Sequence, residues 1–238
     1  NITQSNEGIE AQYINILDGT VNVTSSDDGI NASYSTTTTT DSTSTESAST
    51  STTQTTQSKQ AAQGNAAQGG QAPSGTMGSG TTGQPPAGGG MGGGTFEVVD
   101  AAVNISGGTV TVNANGDGID SNGTATFSGG TVVVNGPFTG GNTSLDTNGD
   151  LLLNGATVTA GNAGDMFEAP ATSSTSGYVK ISNVSSLSAG TTVQVADSSG
   201  NVVANYKVTN SNTALILVSS SKITKGESYT VYTTTDSV

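Results

Sequence analysis

One pattern recurs along the chain and constrains its fold more than any other feature: a strand, a tight glycine turn, and a second strand with apolar residues at alternate positions. It occupies residues 16–23 (ILDGTVNV), 105–112 (ISGGTVTV), 127–134 (FSGGTVVV) and 153–160 (LNGATVTA). The threonine of the pattern falls at 20, 109, 131 and 157, at intervals of 89, 22 and 26 residues, so the first interval must contain an insertion. Alternation puts Val21 and Val23, Val110 and Val112, Val132 and Val134, and Val158 and Ala160 on one face, where they should stack as an interior ladder. A single coil cannot bury such a face, and three or more must cover one another. Four clear copies and a degenerate fifth meet that need. The expected fold is all-β, a right-handed parallel β-helix of about 22-residue coils with a small C-terminal antiparallel β capping unit.

The insertion is residues 33–94. It divides into a Thr/Ser tract (35–58), a Gln/Ala/Gly tract (60–71) and a Gly/Pro/Met tract (72–94), none with an apolar period. With so little to bury it cannot offset the entropy of ordering, and a flexible excursion between coils is expected. The β-helix is therefore assigned to 1–171, interrupted at 33–94, and the capping unit to 172–238. In the latter the 22-residue spacing is lost, and alternating strands are predicted at 178–181, 192–195, 202–208, 214–218 and 229–232. Such a unit would cover the last coil, whose edge would otherwise invite aggregation. At the other end, residues 1–9 (NITQSNEGI) align with 22–30 (NVTSSDDGI), so the chain starts inside a strand. Upstream coils removed from a longer protein, or self-association through this N-terminal edge, are the two expectations.

Five Lys against eighteen acids give a net charge of −13, and the chain has no Arg, His, Trp or Cys. Nucleic acid is excluded, since phosphate neutralisation needs clustered Lys and Arg, and an anionic membrane surface would repel the chain. No apolar run is long enough to span a membrane, so no membrane insertion is expected. The Thr/Ser-rich, Lys-poor composition points to an extracellular or bacterial cell-surface location. A cation is the natural partner of the acidic excess. Without His or Cys, the oxygen ligands favour calcium over zinc.

The acids are not scattered. A second element recurs between strands: Glu7-Gly8-Ile9-Glu10, Asp28-Gly29-Ile30-Asn31, Asp117-Gly118-Ile119-Asp120, Asp165-Met166-Phe167-Glu168, and partially Thr143-Ser144-Leu145-Asp146. Stacking would produce one column of Glu7, Asp28, Asp117 and Asp165 and another of Glu10, Asn31, Asp120, Asp146 and Glu168, with Asp27 beside Asp28. Carboxylates about 5 Å apart at an effective dielectric near 20 repel by about 3 kcal/mol per pair. A shared divalent ion reverses that sign, and carboxylates joined by amide and carbonyl oxygens form a shell that calcium accepts. These ten residues are the candidate metal ligands. The competing reading is that they are exposed turn residues, because Asp-Gly is a favoured turn dipeptide.

The Gly-Gly-Thr-Val-x-Val coils joined by Asp-Gly-Ile turns, the Gly/Met/Pro-rich insertion, residues 115–123 (NGDGIDSNG), 131–137 (TVVVNGP) and the closing 229–232 (YTVY) together resemble a bacterial family of calcium-binding carbohydrate-binding proteins with a polysaccharide-lyase-like β-helix. The resemblance covers residues 1–32 and 95–234. It implies binding of cellulose and of pectin-type acidic polysaccharide such as polygalacturonate, with metal held on the acidic turns. Asp28, Asp117 and Asp120 match that pattern; Asn31 departs from it.

Three functions compete. Calcium-assisted β-elimination needs a base beside the metal, normally Arg or Lys. Arg is absent, Lys59 lies in the insertion, and Lys180, Lys207, Lys222 and Lys225 lie in the terminal unit. Asp117 and Asp120 could act as an acid and base pair, but two carboxylates in one turn are better explained as ligands. The expectation is a non-catalytic polysaccharide binder. The alternative is a calcium-stabilised adhesin, biofilm-matrix or fibre subunit, with ice binding through the threonine column a lesser variant.

Overall fold

The computed structural model describes residues 1–34, 96–164, 166–182, 184 and 187–234. The low-complexity tracts of the insertion, Lys59 and Asp165 lie outside the described residues. Those described are all-β, and none lies in a helix long and apolar enough to cross a membrane.

Three stacks of parallel strands are visited in turn, giving a β-helix-like arrangement. The first circuit runs through β1 (Ile2–Ser5), β2 (Ile9–Ala11) and β3 (Tyr13–Ile16), the second through β4 (Thr20–Ser25), β5 (Ile30–Ala32) and β6 (Ala102–Ile105). The third uses β7 (Thr109–Asn113), β8 (Ile119–Ser121) and β9 (Thr124–Phe127), and the fourth β10 (Thr131–Asn135), β11 (Leu145–Thr147) and β12 (Leu151–Leu153), before β13 (Thr157–Asn162) opens a fifth. The insertion leaves between β5 and β6, at a passage from one stack to the next. Thr20 pairs with Thr109, Thr109 with Thr131 and Thr131 with Thr157, so the repeated strands stack in register.

Alternation then sends Val23, Val110, Val112, Val132, Val134, Val158 and Ala160 into the interior, while Val21 is only partly buried. Columns Ile30–Ile119–Leu145 and Ile105–Phe127–Leu153 close the core from the other two stacks. Each such side chain contributes about 1.5–3 kcal/mol of burial. In the turn before the threonine, Gly108 and Gly130 both take φ +77°, a left-handed conformation that favours glycine.

The C-terminal strands are β14 (Tyr178–Ser182), β15 (Thr192–Ala196), β16 (Val202–Lys207), β17 (Leu215–Ser219) and β18 (Thr230–Thr234). β15, β16 and β18 form a separate antiparallel sheet, whereas β17 pairs antiparallel with β13 and carries β14 beyond it. The first sheet of parallel strands thus continues directly into the terminal region. β17 faces two cores: Leu217 packs with the coils, Ile216 and Val218 with Val193, Val195 and Tyr206. A buried polar chain ties the parts together. The Tyr206 hydroxyl donates to Asn135 Oδ1 at 3.0 Å, and Asn135 Nδ2 donates to Asn113 Oδ1 at 2.9 Å.

Candidate functional site

The second stack and the turns entering it carry the acids. Pairing of β2, β5, β8 and β11 sets Glu10 opposite Asn31, Asn31 opposite Asp120 and Asp120 opposite Asp146. Neighbouring strands lie about 4.8 Å apart, so these side chains form a continuous column. Just before them, backbone bonds from Gly8 N–H to Asp28 O, Gly29 N–H to Asp117 O and Gly118 N–H to Thr143 O align Glu7, Asp28, Asp117 and Thr143. Glycine at 8, 29 and 118 lets the turns approach this closely: a Cβ on Gly29 would sit 2.1 Å from Val112 Cγ1 and 2.5 Å from Gly118 O.

The first column has a structural duty. Asp28 Oδ1 accepts the N–H of Asp117 at 2.7 Å, and Asp117 Oδ1 accepts the N–H of Thr143 at 2.6 Å, so each carboxylate caps the equivalent residue one circuit on. Asp28 Oδ2 accepts Asn31 Nδ2 at 3.3 Å. Among the described residues, two side-chain oxygens are buried without a hydrogen-bond partner, Glu7 Oε2 and Asn31 Oδ1. Both are acceptors. Such atoms can be matched by a hydrogen-bond donor, a proton or a cation, and leaving each unmatched costs about 1–3 kcal/mol.

Electrostatics say the same of the strip as a whole. Burial pushes the Asp120 carboxyl up to about 8, reinforced by Asp146, Asp117 and Asp28. Burial also raises Asp117 to about 7 against the lowering effect of the Thr143 N–H, with Asp146, Asp28 and Asp27 adding repulsion. Glu7 rises to about 7 through burial and then the charges of Asp28, Asp27 and Glu10. Asp28 is raised by burial, partly offset by the Asp117 N–H. Glu168 joins the far end: Thr147 donates to it from its hydroxyl and, at 2.5 Å, from its N–H, while burial and the Asp146 carboxyl raise its pKa.

Glu7, Glu10, Asp27, Asp28, Asn31, Asp117, Asp120, Asp146 and Glu168 therefore lie along one strip, and Asp165 lies outside the described residues. Thr143 and Thr147, absent from the predicted set, are the partners of Asp117 and Glu168. Among the described residues no three acidic side chains converge closely enough to hold a metal alone. A bound cation would draw on amide, backbone or water oxygens as well. The donor chemistry fits calcium, which accepts six to eight such hard oxygens, and Asn31 Oδ1, between Glu10 and Asp120 in register, is the neutral oxygen on hand. Exposed rings are found at Tyr13, Tyr34, Phe96, Tyr178 and Tyr232, none of them on β2, β5, β8 or β11, while Phe127 is wholly core. Compared with known proteins, the chain matches no family model, no curated protein and no solved structure.

Proposed function

We propose that this chain is a non-catalytic, calcium-binding, polysaccharide-binding protein of the bacterial surface or exterior, built on a right-handed parallel β-helix with coils of about 22 residues. The observation that carries the reading is the pair of buried, unpartnered oxygens, Glu7 Oε2 and Asn31 Oδ1, in a strip of stacked carboxylates. A proton on Glu7 would satisfy one of them; the Asn31 carbonyl itself takes no proton at neutral pH, and a calcium ion beside it would satisfy it while also offsetting the neighbouring carboxylates. Calcium would be held by Asn31 with one adjacent carboxylate of the column, Asp120, completed by backbone and water oxygens, leaving Asp28 and Asp117 their capping bonds. A bound ion would supply the positive charge that draws in a uronate carboxylate, which the net charge of −13 would otherwise repel. With no Arg or His in the chain and Lys180, Lys207, Lys222 and Lys225 in the terminal region, elimination chemistry lacks a lysine or arginine base on the coils among the described residues.

Titration calorimetry should detect calcium uptake, and capture on polygalacturonate should be lost with a chelator. Absence of calcium uptake would sink the reading. A second reading is assembly into fibres or matrix, in which β1, β2 and β3, each the last strand of its sheet among the described residues, would pair with another chain. Growth in particle size with concentration, without glycan binding, would select it instead.

A further inference from the structure

A groove of about 580 Å³ lies at the C-terminal end of the parallel stacks, lined by none of the strip's carboxylates and within the ~300–1,000 Å³ usual for small-molecule sites. One wall is the segment 171–177, which lies along β12 through bonds from Ala171 N–H to Leu151 O and from Ser176 N–H to Leu153 O. The other is the turn from Ile223 to Tyr229, joined to the first by the Gly177 N–H to Ile223 O bond. Tyr178, Lys180, Lys225 and Tyr229 all line it.

Its charge is opposite to that of the molecule. A chain of net charge −13 with only five lysines places two of them here. Lys225 is held in place: its Nζ donates to Thr172 O at 2.8 Å and Ser174 O at 2.5 Å, leaving one of three N–H groups for a ligand. Lys180 Nζ sits 4.1 Å from the centre of the Phe167 ring and remains exposed. Tyr229 is fixed too, its hydroxyl accepting the Thr224 N–H at 2.7 Å and donating to Lys222 O at 3.2 Å. Two lysines, the fixed phenol of Tyr229 and the exposed ring of Tyr178 in a groove edged with hydroxyls suit a ligand that is anionic, polyhydroxylated and flat-faced. Glu227 also lines the groove and opposes an anion, leaving the cations in excess.

We propose that this groove binds a short uronate-bearing oligosaccharide, with its carboxylates on Lys180 and Lys225, its ring faces on Tyr178 and Tyr229, and no calcium involved. The proposal rests on the reading above for the glycan class alone; its site and its charge are separate. The test is titration of the full chain with a galacturonate trisaccharide in chelator, followed by NMR. Saturable binding is expected, weakened about tenfold by Lys180→Gln with Lys225→Gln, strengthened by Glu227→Gln and lost with the methyl-esterified trisaccharide. Lys180→Gln alone leaves the Lys225 bonds intact, so its severalfold loss guards against misfolding of the double variant. No binding in chelator, unchanged binding in both lysine variants, or equal binding of oligoglutamate would overturn the proposal. Asp120→Asn, which removes a carboxylate from the strip, should leave this binding unaltered while abolishing calcium-dependent capture, so either idea can fail without the other.

Discussion

Asp117 lies in the turn before β8 and Asp120 within that strand, three positions on, and only the first caps a buried backbone N–H. Asp117 Oδ1 caps the Thr143 N–H at 2.6 Å, and Thr143 is buried, so Asp117→Ala strands a backbone donor and should cost about 1–3 kcal/mol in denaturant unfolding. Asp120 lies between Asn31 and Asp146, and its carboxyl, raised to about 8, is uncomfortable when ionised without a metal. Asp120→Asn removes that charge at nearly constant shape. In chelator it should raise the melting temperature, by about 2–4 °C if the relief is near 1 kcal/mol. In calcium the same variant should melt below the parent chain, because a ligand is gone. A variant less stable than the parent in chelator would show that Asp120 has a structural partner outweighing the repulsion.

Strands stack here because glycine permits it at the turns. A Cβ on Gly118 would lie 2.2 Å from Val134 Cγ1 and 2.4 Å from Ser144 O, whereas Gly19, at φ +90°, has open space around the same position. Gly118→Ala should therefore cost about 3 kcal/mol or more by forcing circuits apart, and Gly19→Ala about 1–2 kcal/mol from backbone strain alone. Equal losses in denaturant melts would refute that distinction. Such elements differ in how far the sequence discloses them. The threonine and valine register was legible because period-2 alternation and a fixed glycine turn leave one way to bury Val110, Val112, Val132 and Val134. The column from Glu10 to Asp146 was legible because Ile9, Ile30, Ile119 and Leu145 anchor each turn inward, which leaves the next side chain outward. The joining of β17 to β13 left no such trace. Its residues 214–218 (ALILV) read as any buried strand, since both faces are covered, and antiparallel addition across some fifty residues has no period to detect. Thr147 was missed likewise, because its partner Glu168 lies outside any strand.

Across the whole molecule, the acids make stability a function of pH and metal together. The carboxyl of Asp120 is near 8 when folded against 3.8 in its ordinary state, and those of Asp117 and Glu7 are near 7 against 3.8 and 4.5. Between the lower and higher values the folded chain holds protons that the unfolded chain has released. Stability therefore falls as pH rises through that interval, the reverse of the usual acid denaturation. In chelator, melting temperature should be highest near pH 4–5, decline steadily to about pH 8 and level off above it. Calcium competes with those protons for the same oxygens, so saturating calcium should flatten the decline and add most stability at pH 8, where the carboxylates are ionised. Calcium uptake should release protons near pH 7, measurable as a dependence of binding enthalpy on buffer. A chelated chain that melts higher at pH 8 than at pH 5 would mean that the strip is not strained by its own charge, and would remove the physical reason for a metal to bind there.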